Sequence, residues 1–313
     1  MKIPNYVIET AESIRIMEVR GASLIARTAA KVLKEAADDF RGKGKEEFME
    51  YLREVARILL ETRPTAVSLP NAIHYIMRGA ERGCKRDFSL EELRDLVRER
   101  AETFIREAIE ATERASSLAA QHIGKVQKIM THCHSTAAVN TILKIAENRS
   151  RIIVYVKETR PRYQGRITMR QLSSYSNIEV RFIVDSAAAY YMKDVDVVIV
   201  GADAITPDGY LFNKVGTFML AITADEFNVP FYTVAEHYKL AVDKKSWRDI
   251  VVEMRPIEEV IEPKELPNNV KVLNPSFDIT PPSYLTGIIT NKGIIEKPVT
   301  QHVAEFFSKF SMK

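Results

Sequence analysis

The stretch Ile129-Met130-Thr131-His132-Cys133-His134-Ser135-Thr136 decides the fold. It begins with a short apolar segment, passes through a polar tip and continues into a helical pattern. This order predicts a strand, a loop and a helix, with Cys133 at the carboxyl end of the strand. In an open parallel sheet, that edge is where ligands bind. The stretch therefore predicts a sheet protein with a polar site around Cys133.

Downstream of about residue 121, short apolar runs alternate with helical or turn segments, as in a doubly wound parallel sheet. The run 195–200 is apolar on nearly every residue, which is typical of a strand covered by helices on both faces. The other predicted strands are 129–130, 152–156, 180–184, 229–234, 270–273 and 288–289. Residues 122–313 are therefore predicted to form a Rossmann-like α/β domain.

Residues 1–121 instead show the three- and four-residue spacing of amphipathic helices. The clearest helical pattern begins at Leu90, and Ser89 with Glu92 forms a capping-box pattern just ahead of it. Earlier helical patterns cover 7–17, 23–39, 45–61 and 71–77. The chain is therefore predicted to begin with an all-helical domain, 1–121.

Composition argues against a nucleic-acid or membrane partner. The 313 residues include 45 basic and 42 acidic side chains, for a net charge of +3. This balance gives no broad basic surface. The two cysteines and the lack of a secretory signal pattern predict a reduced, cytoplasmic protein. A Cys84–Cys133 disulfide is left open by the sequence.

Polar tips follow several predicted strands or open the helices after them. In a parallel sheet these tips lie at one edge, where they would gather a cysteine, a carboxylate and several cations. The tip at 213–217 is expected to open a helix. Besides the loop at Cys133, the tips are 158–165, 201–203, 213–217 and 236–239.

Taken singly, these signals have ordinary explanations. A lone Cys133 is more often a small buried hydrophobic residue than a catalytic group. Asp203 after Gly201 also fits a turn cap. His132 and His134 flank the cysteine, but no further Cys or His cluster completes a metal site, so no metal is predicted. No dinucleotide or nucleotide-binding glycine motif is present, and no cofactor is predicted.

Two interruptions of the helical part carry arginines. At Arg20-Gly21-Ala22-Ser23 a helix is expected to start at a Ser23 cap, which would offer backbone amides to an anion; a plain helix corner is the alternative. Arg63 precedes Pro64 and is biased away from helix. A solvated linker arginine is the alternative there.

Considered together, the polar groups supply enough donors for two phosphate groups. Cations near the thiol are expected to lower the pKa of Cys133, whereas burial is expected to raise the pKa of Asp203. Such a divergence suits one group that takes a proton and another that gives one. The donors in question are Arg20, Arg63, Ser135, Thr136, Asn213, Lys214 and Lys239.

These residues resemble the superfamily of translation initiation factor 2B regulatory subunits and the sugar-phosphate isomerases related to them. The resemblance covers nearly the whole chain, because seven blocks occur in family order. The blocks are Arg20-Gly21-Ala22, Arg63-Pro64-Thr65-Ala66, Thr131-His132-Cys133-His134-Ser135, Glu158-Thr159-Arg160-Pro161 with Gln164-Gly165, Gly201-Ala202-Asp203, Asn213-Lys214-Val215-Gly216-Thr217, and Asn274-Pro275-Ser276-Phe277-Asp278-Ile279-Thr280-Pro281-Pro282.

The resemblance implies an enzyme. Non-catalytic members typically lack the pair that this chain has in Cys133 and Asp203, and Gln164 stands where the isomerases have it. His134 and the segment 236–240 look like the branch that acts on ribose 1,5-bisphosphate and yields ribulose 1,5-bisphosphate. That activity implies a place in the archaeal salvage of nucleoside monophosphates such as AMP, which feeds Rubisco.

The resemblance also implies roles for individual residues. Cys133 is expected to accept a proton in an aldose–ketose isomerisation and Asp203 to donate one. Arg160 and Gln164 are expected to support the site from behind. The positions expected to bind the sugar bisphosphate are Arg20, Gly21, Ala22, Ser23, Arg63, Ser135, Thr136, Ala137, Asn213, Lys214 and Lys239.

Partners follow in the same way. The resemblance implies a homo-oligomer, either a dimer or a hexamer built of dimers, and AMP as an activator. Two alternatives stay open. One is a non-catalytic regulatory subunit, and the other is an isomerase of methylthioribose 1-phosphate, a substrate with one phosphate.

Overall fold

The computed structural model describes residues 3–63, 67–147 and 149–309. Packing divides the chain into two compact units, 1–110 and 111–313. The predicted division at residue 121 follows instead the change from helices to alternating strands. The two boundaries differ because one helix, Leu90–Ile123, runs through the place where packing divides the chain.

The first unit is helical, as predicted. Its capping box is confirmed, because the Ser89 N–H donates to Glu92 Oε2 at 2.7 Å and the Glu92 N–H donates to Ser89 Oγ at 3.2 Å. Its helices bury apolar stripes against one another, with Leu33, Leu52 and Ile73 fully buried. Within the described residues its helices are α1 (Asn5–Arg15), α2 (Ala22–Asp39), α3 (Lys45–Leu60), α4 (Ser68–Lys85) and α5 (Leu90–Ile123).

The second unit is built on a sheet that is parallel except for its last strand. In the described part of this unit the sheet has seven strands in the order β10-β9-β7-β4-β1-β2-β3, with β10 antiparallel to β9. The strands among the described residues of the unit are β1 (Lys128–Thr131), β2 (Ile152–Lys157), β3 (Ile178–Ile183), β4 (Val197–Val200), β5 (Ala204–Ile205), β6 (Leu211–Lys214), β7 (Phe231–Ala235), β8 (Phe277–Thr280), β9 (Gly287–Thr290) and β10 (Gly293–Glu296).

The strand order reverses between β1 and β4. From β1 the chain continues outward through β2 and β3, whereas β4 leads the other way through β7 and β9. Crossovers therefore leave this point in opposite directions, which opens a crevice at the carboxyl ends of β1 and β4. The predicted doubly wound α/β fold is confirmed.

Both faces of the sheet are covered. Successive residues of β4 alternate between two apolar clusters, with Val198 and Val200 in one and Val197 and Ile199 in the other. This explains why the strand is apolar on every residue. The helices described in this unit, besides the end of α5, are α6 (Thr136–Ala146), α7 (Gly165–Leu172), α8 (Ala188–Met192), α9 (Thr217–Glu226) and α10 (Val299–Ser308).

A second, antiparallel sheet was not expected from the sequence. It has the order β5-β6-β8 and pairs Asn213 with Asp278. Conversely, the predicted strand 270–273 is wrong, since these residues form no strand and Leu273 is 68% exposed. Within the described ranges, no helix combines the length and hydrophobicity that crossing a bilayer requires.

Candidate active site at the switch between β1 and β4

The loop after β1 holds Cys133 in an unusual backbone conformation. Its φ is 68°, in the left-handed region that residues with a Cβ adopt rarely. The Cys133 N–H donates to Thr159 Oγ1 at 2.9 Å, and the Cys133 carbonyl accepts from Thr168 Oγ1 at 2.9 Å. Because strain of this kind persists only where the surroundings enforce it, the two threonines hold the backbone that carries the thiol.

The loop after β2 supports this arrangement. Thr159 also has a positive φ, 64°. The Thr159 N–H donates to Asp185 Oδ1 at 3.0 Å and the Arg160 N–H to Asp185 Oδ2 at 2.7 Å. A Cβ at Gly165 would collide with the Lys157 carbonyl oxygen, which explains the glycine. The ends of β1, β2 and β3 are thus tied together.

Asp203 and Lys214 both act on the Cys133 thiol. Burial raises the pKa of this thiol to about 11; Lys214 opposes the increase and Asp203 adds to it. The structure therefore brings the thiol, the carboxylate and the ammonium into one neighbourhood, as predicted. The predicted lowering of the Cys133 pKa is wrong, because loss of solvation outweighs the nearby cation.

Gly201 allows the end of β4 to approach the loop after β1. A Cβ on Gly201 would collide with the Ser135 side chain. Ser135 is the N-cap of α6, and its Oγ accepts from the Ala138 N–H at 3.4 Å. Thr136, which is exposed, and Ala137, which is buried, form the first turn. The predicted helix start at Ser135 and Thr136 is confirmed, next to the strand that leads to Asp203.

Asn213 and Lys214 do not open a helix as predicted. They are the last residues of β6, and α9 begins at Thr217. Asn213 Nδ2 donates to Thr217 Oγ1 at 3.0 Å, and Lys214 Nζ donates to the Ser276 carbonyl at 2.9 Å. The difference arises because β6 gains a partner in β8, which is distant in sequence.

Lys239 is buried, with 5% of its surface exposed. Its Nζ lies 2.8 Å from Oε2 of Glu236, which is 1% exposed. Thr112 Oγ1 donates to the other Glu236 oxygen at 2.6 Å. Burial opposes ionisation of Glu236, but Lys239 and Thr112 outweigh burial and lower the pKa of Glu236. The Lys239 cation is therefore held by an internal carboxylate.

Arg160 and Gln164 differ in surroundings. Arg160 is exposed, and its guanidinium donates to the Tyr163 hydroxyl at 2.5 Å. Gln164 is 7% exposed, and among the described residues its Oε1 has no hydrogen-bond donor. Gln164 therefore places an unsatisfied acceptor at the start of α7, whereas Arg160 lies on the surface.

The expected anion-binding residues of the first unit gather at Met17. Arg20 Nε donates to the Met17 carbonyl at 2.5 Å, and Arg63 Nη1 contacts Met17 Sδ at 2.7 Å. Arg63 is 5% exposed, so the reading as a solvated linker arginine is wrong. Pro64, Thr65 and Ala66 lie outside the described residues.

The expected cap at Ser23 is also wrong. Helix α2 begins at Ala22, with Gly21 as N-cap at a φ of 84°. Because glycine adopts this conformation readily, the chain turns into the helix two residues earlier than a cap at Ser23 would require. The Ser68 hydroxyl donates to the Ala22 carbonyl at 3.0 Å, which joins the starts of α2 and α4.

Three titratable residues of this region were missed in the sequence: Lys157, Asp185 and Asp278. Lys157 ends the apolar strand β2 and is fully buried. A charged residue inside an apolar strand was the available signal for Lys157. Asp185 lies after β3, and nothing in its local sequence separates it from a surface carboxylate. Asp278, on β8, belongs to the family block 274–282, but no role of its own was predicted for it.

The two histidines beside Cys133 are held by protein groups. His132 Nε2 lies 2.9 Å from the Val215 carbonyl, and His134 Nδ1 lies 3.0 Å from Thr168 Oγ1. Burial, reinforced by Lys157, lowers the pKa of His132 well below its ordinary value, and burial also lowers that of His134. Both rings are neutral at pH 7. Since a carbonyl only accepts, His132 Nε2 carries the hydrogen.

Comparisons with known proteins give consistent similarities. The model of the Initiation factor 2 subunit family matches residues 18–297. The ribose 1,5-bisphosphate isomerase of Thermococcus kodakarensis is 43% identical, covering 94% of this chain and 92% of that protein. The methylthioribose-1-phosphate isomerase of Acetivibrio thermocellus is 36% identical, covering 98% of this chain and 92% of that protein.

A solved structure is similar over a comparable length. The crystal structure of the translation initiation factor eIF-2B of Pyrococcus horikoshii OT3 has a TM-score of 0.79 and 29% identity. It covers 95% of this chain and 98% of that chain. The similarities therefore extend through both units, to isomerases and to an initiation factor alike.

Proposed function

The chain belongs to the Initiation factor 2 subunit family, and we propose that, as a member of this family, it is an isomerase that converts ribose 1,5-bisphosphate to ribulose 1,5-bisphosphate. It is an enzyme of the isomerase class, in line with relatives such as the 43% identical Thermococcus kodakarensis protein. The observation that carries the proposal is the neighbourhood of Cys133, Asp203 and Lys214 at the switch of the sheet. The reaction needs a proton donor and a proton acceptor there, and a cation suits the phosphorylated substrate.

The reaction moves one proton between neighbouring carbons. After the ring opens, a base removes the proton from C2, and an acid returns a proton to C1. We assign the two roles opposite to the prediction from the sequence, with Cys133 as the proton donor and Asp203 as the proton acceptor. With a pKa of about 11, the Cys133 thiol carries its proton at neutral pH and is suited to donate it. Asp203 then accepts the proton from C2.

Deuterium exchange separates the two assignments. We expect Cys133→Ser and Asp203→Asn each to reduce turnover by roughly 10²–10⁴-fold, the range typical of acid–base groups. In D₂O, Cys133→Ser should still exchange the C2 proton of the substrate, because its base is intact, and Asp203→Asn should not. Exchange in Asp203→Asn alone would restore the original assignment. Wild-type turnover in both variants would remove the pair from the mechanism.

We propose phosphate-binding roles for residues of each unit taken separately. In the first unit these are Arg20, Arg63 and the amides at 21–23, and in the second they are Ser135, Thr136, Ala137, Asn213 and Lys214. Lys239 is proposed for the second phosphate of the substrate. We propose Arg160 and Gln164 as supporting residues, with the unsatisfied Gln164 Oε1 available to a sugar hydroxyl.

Methylthioribose 1-phosphate is the second candidate substrate, because a relative that acts on it is 36% identical. Purified protein assayed on both sugar phosphates decides between them. A bisphosphate enzyme should lose affinity when Lys239 is changed to Met, seen as a higher KM, since the second phosphate loses its cation. An enzyme for the monophosphate should keep its KM, although the loss of the buried partner of Glu236 lowers the stability of the variant in either case. Lack of turnover on either compound would favour the regulatory-subunit alternative.

We further propose that the protein is a cytoplasmic homo-oligomer, activated by AMP, in the nucleoside monophosphate salvage that feeds Rubisco. An exposed apolar stripe on α9 supports self-association. Its residues are Met219 and Ile222 on the helix, 48% and 44% exposed, and Phe227, the C-cap of the helix, 41% exposed. Titration of the purified enzyme with AMP tests the activation.

A further inference from the structure

The segment 213–217 is held by side chains from three other parts of the second unit. His132, after β1, donates from Nε2 to the Val215 carbonyl at 2.9 Å. Lys157, at the end of β2, donates from Nζ to the Gly216 carbonyl at 3.3 Å. Asp278, on β8, accepts from the Gly216 N–H at 2.7 Å and from the Phe218 N–H at 3.0 Å.

These contacts determine the backbone around Gly216. Its φ is 98°, its N–H donates to Asp278, and its C=O accepts from Lys157 Nζ as well as from the Leu220 N–H of α9. Thr217 Oγ1 donates to the Lys214 carbonyl at 2.6 Å and accepts from Asn213 Nδ2 at 3.0 Å. The segment is therefore a closed turn, and a change at Val215 or Gly216 would move Asn213 and Lys214.

Placing these three ionisable side chains at this position is unfavourable in free energy. Lys157 is 0% exposed and His132 is 1% exposed. Burial lowers the pKa of Lys157, an effect that Asp185 and Asp278 oppose. Burying ionisable groups is unfavourable unless they make specific bonds, and apolar residues of similar size would pack as well. Their bonds to the turn are therefore what distinguishes them from apolar replacements.

We propose that His132, Lys157 and Asp278 are positioning residues that hold Asn213 and Lys214 in the conformation that binds a phosphate of the substrate. This inference rests on the proposed function, because it takes a phosphorylated sugar as the ligand. None of the three residues is assigned contact with substrate. They act through the backbone of residues 215 and 216, and Lys214 delivers the charge.

Paired substitutions test the inference. His132→Gln keeps an N–H where Nε2 lies, whereas His132→Phe removes it at similar volume. Lys157→Met removes the ammonium and keeps the length of the side chain, and Lys193→Met, at an exposed lysine of the same unit, is its control. Circular dichroism shows whether each variant folds. If one of them does not, Asp278→Asn takes its place.

We expect His132→Phe and Lys157→Met to raise KM by about tenfold or more while kcat changes by less than about threefold, since phosphate binding serves ground and transition states alike. His132→Gln should recover most of the affinity. In a Lys214→Ala background, His132→Phe should add little further loss, because coupled residues are not additive. A general loss of folding stability would explain neither the recovered affinity of His132→Gln nor the small further effect of His132→Phe in the Lys214→Ala background.

The inference is overturned if Lys214→Ala raises KM but His132→Phe and Lys157→Met behave like Lys193→Met. If the wild type turns over neither sugar phosphate, the proposed function fails instead. Calorimetric binding of inorganic phosphate then decides the positioning role. A loss in His132→Phe equal to that in Lys214→Ala supports it, and unchanged binding in His132→Phe rejects it.

Discussion

Cys133 combines a positive φ with partial burial and a raised thiol pKa. The sequence located the residue correctly, since a strand followed by a helix start places it at a sheet edge. The direction of its pKa shift was not accessible in the same way. That sign depends on how much solvent the fold removes compared with the charge of Lys214, which lies about 80 positions away in the sequence.

Alkylation measures the thiol directly. In a Cys84→Ala background, we expect the rate of iodoacetamide modification of Cys133 to rise about tenfold per pH unit from pH 7 to beyond pH 9, because the thiolate is the nucleophile. The rate should level off only near the pKa of about 11. The Cys84→Ala/Cys133→Ser double variant controls for other sites. A plateau below pH 9 would contradict the raised pKa.

Glu236 is expected to matter for stability as well as for the site. Changing Glu236 to Ala leaves Lys239 buried without its 2.8 Å partner. Removing one member of a buried ion pair costs about 3–5 kcal/mol. Urea unfolding should show this loss, and Glu236→Leu combined with Lys239→Met should be considerably less destabilised. Equal stability of Glu236→Ala and wild type would indicate that the pair is solvated.

At the scale of elements, the helices were the most predictable part. The capping box of α5 depends on residues three apart, so the sequence contains all of it. The antiparallel sheet β5-β6-β8 was missed because its strands have only two to four residues and because β6 and β8 join positions about 65 apart. The segment 270–273 was mistaken for a strand because apolar residues occupy alternate positions in it. Among the described residues, no strand pairs with it.

The α5 cap provides a local test. Ser89→Ala removes the acceptor for the Glu92 N–H and should destabilise the protein by about 1 kcal/mol, the usual cost of losing a serine cap. Thermal or urea unfolding measures the effect. Ser89→Asp, which keeps an acceptor, should retain most of the stability. A loss in Ser89→Asp as large as that in Ser89→Ala would show that capping is not the cause.

The start of α9 should give stability a pH dependence. Burial raises the pKa of Asp278 from 3.8 to about 6, against the bonds from Phe218 and Gly216. The folded protein thus holds this proton more tightly than the unfolded chain. The contribution to stability is therefore fully present below about pH 3.8 and is lost as the pH rises to about 6.

Denaturant unfolding of wild type and Asp278→Asn between pH 4 and 7 tests this dependence. The stability of wild type relative to the variant should fall across that interval. The control is Asp225→Asn, at an exposed carboxylate near the carboxyl end of α9, and it should show no such trend. A constant difference between wild type and Asp278→Asn would indicate an ordinary carboxyl.

At the scale of the whole molecule, the doubly wound order explains why separate polar tips form one site. Cys133 and Asp203 follow adjacent parallel strands, and Glu236 follows the next strand along, β7. This gathering was predictable, because all carboxyl ends of a parallel sheet lie on one edge. The contacts that hold each tip were not, since they come from Thr159, Thr168 and Asp278, whose positions depend on the complete fold.

Self-association is also tested on the whole molecule. We expect light scattering to give a mass above the 35.6 kDa of one chain. Ile222→Lys should shift the population toward monomer, because it places a charge in the exposed apolar stripe of α9. Glu226→Lys, on a polar position of the same helix, should not. A monomeric wild type would rule out the proposed homo-oligomer.

The continuity of α5 has a practical consequence for dissecting the protein into fragments. The helix has 34 residues and passes without interruption through the boundary between the two units, so a protease finds no loop there. A fragment starting at residue 111 would expose a cut helix end with four unsatisfied N–H groups. A fragment starting ahead of Ser89 would keep the native cap and the full helix, and is the better choice for expressing the second unit alone.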